Sequence, residues 1–188
     1  FAAWCGYKYL NGGPGAPSGI FIHERHLERT DIPRFEGWWG HDKTTRFEMP
    51  SVFKPLKTVE AWQLSNPPIL SMAALLASLE IFHEVGMRSL RQKSEKLTAY
   101  LEALIKSELS EQFEIITPIP TRSRGCQLSI RILNPINDIT KLIHDRGIIS
   151  DWREPDVIRI APVPLYNSFQ DCYNFVEILK NVFDEHRQ

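Results

Sequence analysis

The sequence predicts a mixed α/β chain: a strand-and-loop segment, two consecutive helices, then a small α+β unit. Three observations carry this expectation. Short runs with apolar residues at period two, "GIFIHE", "FEIIT" and "GCQLSIRIL", read as strands. A long helical stretch, "NPPILSMAALLASLEIFHEVG" and then "MRSLRQKSEKLTAYLEALIKSEL", separates the first strand from the others. A closing helix, "NSFQDCYNFVEILKNVF", opens on a capping-box pattern.

Each element has a local reason. Gly19 to Glu24 follows a Gly/Pro loop and alternates, so a strand is expected there. Residues 25–55 are polar, with aromatics and glycines but no clean period, and read as loop with short elements. Asn66 is a candidate N-cap, Pro67 and Pro68 suit a helix start, and Gly86 ends the Ala/Leu-rich run. In the next helix Leu90, Leu97, Leu101, Leu104 and Ile105 line one face, with charges on the other. "NDITKLIHDRG" is a helix capped by Asn137 or Asp138 and stopped by Gly147, while "IISDWR" and "VIRIAPV" are short strands. Ser168 caps the last helix, with Asp171 at its third position. No internal repeat, low-complexity tract or coiled-coil heptad is visible.

With 188 residues, 43% of them apolar, the chain is long enough and apolar enough to bury a real core. A formal net charge of −1 removes the electrostatic case for nucleic acid or an anionic membrane as partner. No run approaches a membrane span. The three cysteines, Cys5, Cys126 and Cys172, are scattered without CxxC spacing, which argues against a disulfide framework or zinc site and fits a reducing cytoplasm. No signal peptide is seen, and the opening "FAAWC", without Met, reads as mid-protein sequence.

Lys8 stands between Tyr7 and Tyr9, just before "NGGPGAPSG". The glycines follow the lysine rather than precede it, so the loop is not a Walker motif. Its prolines, and the strand after it, do not suit a dinucleotide loop. Lys8 reads as a solvated charge, as a lysine snorkelling over aromatic rings, or as a reactive amine beside phenol and indole donors. "HERH" lacks HExxH spacing and reads as a solvated polar cluster. "EGWWGH" puts Trp38 and Trp39 between glycines, as a core plug or as a flat binding wall with an N–H donor. Arg153 reads as a surface charge. Arg159 lies inside an apolar strand pattern, where a guanidinium suits a bidentate grip on a carboxylate.

Together, "WCGYKYLNGGPG", "GIFIHERH", "GWWGHDKTTRFEM", "LSNPPIL" and "IRIAPVPLYNSF" resemble the C-terminal part of the kynureninase family, in order and spacing, over essentially the whole chain. The resemblance implies the α/β, aminotransferase-like fold type I of enzymes that use pyridoxal 5'-phosphate (PLP). Residues 1–66 would be the remnant of the large PLP-binding domain, 67–110 a helical connector, and 111–188 a small α+β domain. It further implies that Lys8 forms the Schiff base with PLP, that Tyr7 and Trp38 reach the cofactor phosphate, Trp38 across a dimer interface, and that Asn66 lies near cofactor and substrate ring. Arg159 would clamp the substrate α-carboxylate. The implied reaction hydrolyses L-kynurenine to anthranilate and L-alanine, in cytoplasmic tryptophan catabolism towards NAD, by a homodimer. The family's aspartate partner of the pyridine nitrogen lies upstream of the lysine, outside this chain. The chain by itself is therefore expected to be inactive. The alternatives are another fold-type I enzyme, a class V aminotransferase or desulfurase-like lyase, and an inert structural fragment.

Overall fold

A computed structural model describes residues 1–186; the last two residues of the 111–188 segment lie outside it. Chain contacts divide the protein into two compact units, Phe1–Glu84 and the remainder from Val85.

In the first unit, β1 (Ala2–Trp4) pairs antiparallel with β2 (Gly19–Phe21). β1 was not expected from the sequence, since three residues are too short to show a period. The expected strand at Gly19–Glu24 is shorter than its pattern, because a 3-10 turn takes over at Glu24–His26, where the His23 ring accepts the Arg25 N–H. Residues 25–62 are largely loop with further 3-10 turns at Trp38–Gly40, Arg46–Glu48 and Val59–Trp62. Buried His41 closes part of this loop: its ring accepts the Lys54 N–H and pairs with the Thr45 hydroxyl.

Helix α1 (Ile69–Val85) begins later than an Asn66 cap requires. The first helical bond runs from the Met72 N–H to the Pro68 carbonyl. A residue preceding proline is disfavoured in the helical region, so Asn66 and Pro67 stay outside the helix, which starts after the second proline. Only Ser78 and Phe82 of α1 are buried, while Ile69, Leu70, Leu76 and Ile81 are exposed. Gly86, at φ +80°, ends the run as expected, in the left-handed region that an L side chain resists.

The second unit begins with α2 (Met87–Glu108). Its Leu90, Leu97, Leu101 and Ile105 recur at helical spacing and are all buried. Strands β3 (Phe113–Ile115), β4 (Leu128–Ile132), β5 (Asp151–Arg153) and β6 (Val157–Ile160) form an antiparallel sheet in the order β3-β4-β6-β5. α3 (Ile139–His144) and α4 (Phe169–Glu185) complete the unit. Strand alternation sends Leu128, Ile130, Ile132, Ile158 and Ile160 into one core with α2, α3 and α4. The opposite face carries Glu114, Ser129, Arg131, Arg159, Asp151 and Arg153.

The capping box at the start of α4 forms as expected: the Ser168 hydroxyl accepts the Asp171 N–H, and the Asp171 carboxylate accepts the Ser168 N–H. The cap expected for α3 does not form. Asp138 occupies the position, but its backbone is left-handed at φ +56°, not the extended shape from which a cap side chain reaches the first-turn N–H groups. The strands at "IISDWR" and "VIRIAPV" shrink to Asp151–Arg153 and Val157–Ile160; Pro162, without an N–H, cannot extend the ladder.

Candidate functional site

Lys8 sits on a tight loop made by glycines. The Asn11 N–H bonds the Lys8 carbonyl at 2.9 Å and the Gly12 N–H bonds the Gly6 carbonyl at 3.0 Å, so residues 6–12 fold back on themselves. Gly6 and Gly12 are buried at the neck of this loop. A Cβ on Gly6 would lie 2.2 Å from the Pro17 carbonyl oxygen, and one on Gly12 2.8 Å from the Gly6 carbonyl oxygen. Side chains are excluded there by backbone, which does not give way cheaply.

One face of α1 supports the loop. The Ser78 hydroxyl donates to the Leu10 carbonyl at 2.6 Å, and the Phe82 ring lies 5.8 Å from that of Tyr9. Both Lys8 and Tyr7 are exposed, and the Lys8 ammonium stands 5.2 Å from the centre of the Tyr7 ring. Among the described residues, Lys8 Nζ forms no ion pair.

The two tryptophans are placed by the 3-10 turn Trp38–Gly40. Glycines again permit close approach: a Cβ on Gly37 would meet the Leu64 backbone at 2.2 Å, and one on Gly40 the Ala61 carbonyl at 2.8 Å. The two rings meet edge to face, and the Arg46 guanidinium lies near both while donating to the Trp39 carbonyl at 2.7 Å. The Trp38 indole N–H reaches the Ser65 hydroxyl at 3.3 Å. The structure thus brings Trp38 against the segment that carries exposed Asn66. Trp38 is itself 40% exposed, so it is not a core plug.

Arg159 lies in the second unit, on central strand β6, opposite Ser129 on one side and Asp151 on the other. Its Nη2 donates to the Asp151 carboxylate, and its Nε is buried without a hydrogen-bond partner among the described residues. Arg153 Nη1 takes the other Asp151 oxygen at 2.9 Å. Sequence reasoning missed both Ser65 and Asp151. The signal for Asp151 was present: "DWREPDVIR" is a strand, a Pro-containing turn and a strand, a hairpin whose register sets Asp151 against Arg159.

The fold defines a class. The apo structure of the cysteine desulfurase from Thermococcus onnurineus NA1 superposes with TM-score 0.70 at 16% identity, over 97% of this chain and 46% of that one. A C-DES mutant, whose structure has glycine covalently linked to the PLP cofactor, matches with TM-score 0.61 at 18% identity, over 89% of this chain and 43% of that one. The chain therefore has the fold of the C-terminal part of these fold-type I enzymes. The particular resemblance is to kynureninase. Residues 90–179 match the model of the kynureninase C-terminal domain. The chain is 57% identical to the kynureninase of Myxococcus xanthus (strain DK1622) over 181 residues, 96% of its length. It is 55% identical to that of Koribacter versatilis (strain Ellin345) over 177 residues, 94% of its length. It spans 42% of the length of either relative.

Proposed function

We propose that the chain is the C-terminal portion of a PLP enzyme that hydrolyses L-kynurenine, or its 3-hydroxy form, to anthranilate or 3-hydroxyanthranilate and L-alanine. The observation that carries this is an exposed lysine on a glycine-clamped loop, within a sequence so similar to kynureninases along its length. The residues present fit the cofactor: an amine able to form an imine, a phenol beside it, and an indole N–H with an open face elsewhere in the same unit. Lys8 would anchor PLP, and Tyr7 and Trp38 would donate to its phosphate. When bound, PLP supplies an electron sink for charge developing at the substrate α-carbon.

The chain's own residues do the rest. Lys8 Nζ holds and moves the proton at the α-carbon. Arg159 fixes the α-carboxylate and so the orientation of the reacting bonds. Asn66 lies beside the substrate's aryl ring. Residues 1–66 act as part of the cofactor domain, 67–110 as connector, and 111–188 as the small domain. The working form is a homodimer in which Trp38 serves the partner's site; exposed Phe47, Met49, Ile69 and Leu70 in the first unit support burial against further polypeptide. Its compartment is the cytoplasm, in keeping with three free cysteines. Neither nucleic acid nor membrane is a partner in this reading. Among the described residues no single helix is long and apolar enough to cross a membrane.

The test uses the full-length protein that contains this chain, loaded with PLP and given L-kynurenine. Anthranilate fluorescence is expected and should vanish in Lys8→Ala; the 188-residue chain alone should give none. The fold neighbours favour one second reading, a desulfurase-like lyase, to which release of sulfur from cysteine without anthranilate would point. Transamination of another amino acid without anthranilate would point to a class V aminotransferase.

A further inference from the structure

Asp151 stands where the proposed chemistry needs control of Arg159. The two are direct cross-strand neighbours on β5 and β6, on the face of the sheet away from the core. The Arg159 side chain is about one-third exposed, at 32%, while its Nε is buried. Among the described residues its guanidinium makes one charged hydrogen bond, to Asp151 through Nη2. Asp151 is held in turn from its other oxygen by Arg153, and Arg153 Nη1 is tied to the Trp152 carbonyl at 2.8 Å. The chain of contacts runs from backbone to Arg153 to Asp151 to Arg159.

Charge makes this arrangement suited to an anionic ligand. Two guanidiniums share a single carboxylate, so the trio keeps one net positive charge. A carboxylate bound by the remaining Arg159 donors would neutralise it. Arg159 Nε, buried and without a hydrogen-bond partner among the described residues, is a donor still unused. An isolated arginine would have to give up side-chain freedom on binding, and Asp151 removes that cost in advance.

We propose that Asp151 is a positioning residue: it holds the Arg159 guanidinium in the orientation that receives the substrate α-carboxylate, acting through Arg159 and not on substrate. This rests on the reading of Arg159 as the carboxylate clamp.

The experiment measures steady-state kinetics of the full-length PLP-loaded enzyme with L-kynurenine. It also measures binding of two non-reacting substrate analogues, one with a free α-carboxylate and one with the corresponding carboxamide. Asp151→Ala should raise KM about five- to tenfold while kcat changes much less, as loss of a partly exposed charge-assisted hydrogen bond predicts. The preference for carboxylate over carboxamide should fall by the same factor, and Asp151→Glu should recover part of it. Asp151→Asn, nearly isosteric, provides the same reading if the alanine variant folds poorly. A carboxylate preference unchanged in Asp151→Asn, or an Asp151→Ala enzyme with lowered KM, overturns the proposal. Arg159→Ala separates the two claims. If it leaves the carboxylate preference intact, the clamp reading itself fails; if it abolishes the preference while Asp151 variants do not alter it, only the role of Asp151 fails.

Discussion

Gly6→Ala tests whether the Lys8 loop is built as described. The added Cβ would sit 2.2 Å from the Pro17 carbonyl oxygen and 3.1 Å from Leu75 Cδ2. The leucine can rotate away, but the carbonyl belongs to the backbone, so the neck of the loop must open to restore ordinary contact. Opening it strains or breaks the Gly12 N–H to Gly6 carbonyl bond, now 3.0 Å long. Overpacking of about 1–3 kcal/mol plus about 1 kcal/mol for the bond gives roughly 2–4 kcal/mol. For a unit of this size even the lower figure corresponds to a drop in Tm of roughly 10 °C.

Four of the five tryptophans, Trp4, Trp38, Trp39 and Trp62, lie in the first unit, so tryptophan fluorescence during heating follows that unit chiefly. Gly125→Ala is the control, because a Cβ there meets nothing within 4 Å. If Lys8 anchors PLP as proposed, the full-length Gly6→Ala protein should also bind PLP more weakly, seen as loss of the visible absorbance band. A Gly6→Ala variant that melts with the Gly125→Ala control and keeps its cofactor band would show that the neck of the loop is not closed against the Pro17 carbonyl.

Three further outcomes follow from the second unit. Glu102 is nearly buried; burial alone would raise its carboxyl pKa, but bonds from Lys106 at 2.6 Å and from buried Arg124 at 2.7 Å outweigh this and hold it below the usual value. Its stabilisation is present above the unfolded carboxyl value and lost as pH falls through the lowered folded one, so acid titration should lower Tm below about pH 4.5. That dependence should shrink in Glu102→Gln, which should also cost about 3 kcal/mol at neutral pH because buried Arg124 loses its carboxylate partner. Burial, with the Asp171 charge beside it, pushes the Cys172 thiol up to about 11. At pH 8, exposed Cys5 should therefore label quickly with a thiol reagent, and Cys172 only once denaturant is added. Ser168→Ala removes half of the capping box and should destabilise the second unit by about 1 kcal/mol in chemical unfolding, whereas Ser168→Asp should retain most of the stability.

Much of the second unit was legible from the sequence because its signals are local. The stripe Leu90, Leu97, Leu101 and Ile105 follows from helix geometry alone, as does the alternation Leu128, Ile130, Ile132 from strand geometry. The Ser168–Asp171 cap needs three residues of chain and no partner elsewhere. Lys8 was different. Its residue type and neighbours left it open among a surface charge, a lysine snorkelling over aromatic rings and a reactive amine, and only the resemblance across distant motifs singled it out.

Tertiary structure decided what depends on residues far apart in the chain. β1 exists because the chain returns at β2 to pair with it, placing the Trp4 indole against Gly19. Gly6 and Gly12 matter because Pro17 and Ala16 come back against them. Trp38 is joined to Ser65 across 27 positions, and Arg159 to Asp151 across 8. Sequence by itself specified which face of a helix or strand is apolar, since that is set within one or two turns of backbone. Which polar group meets which was set by register and loop closure, where the positions of both partners must be known at once.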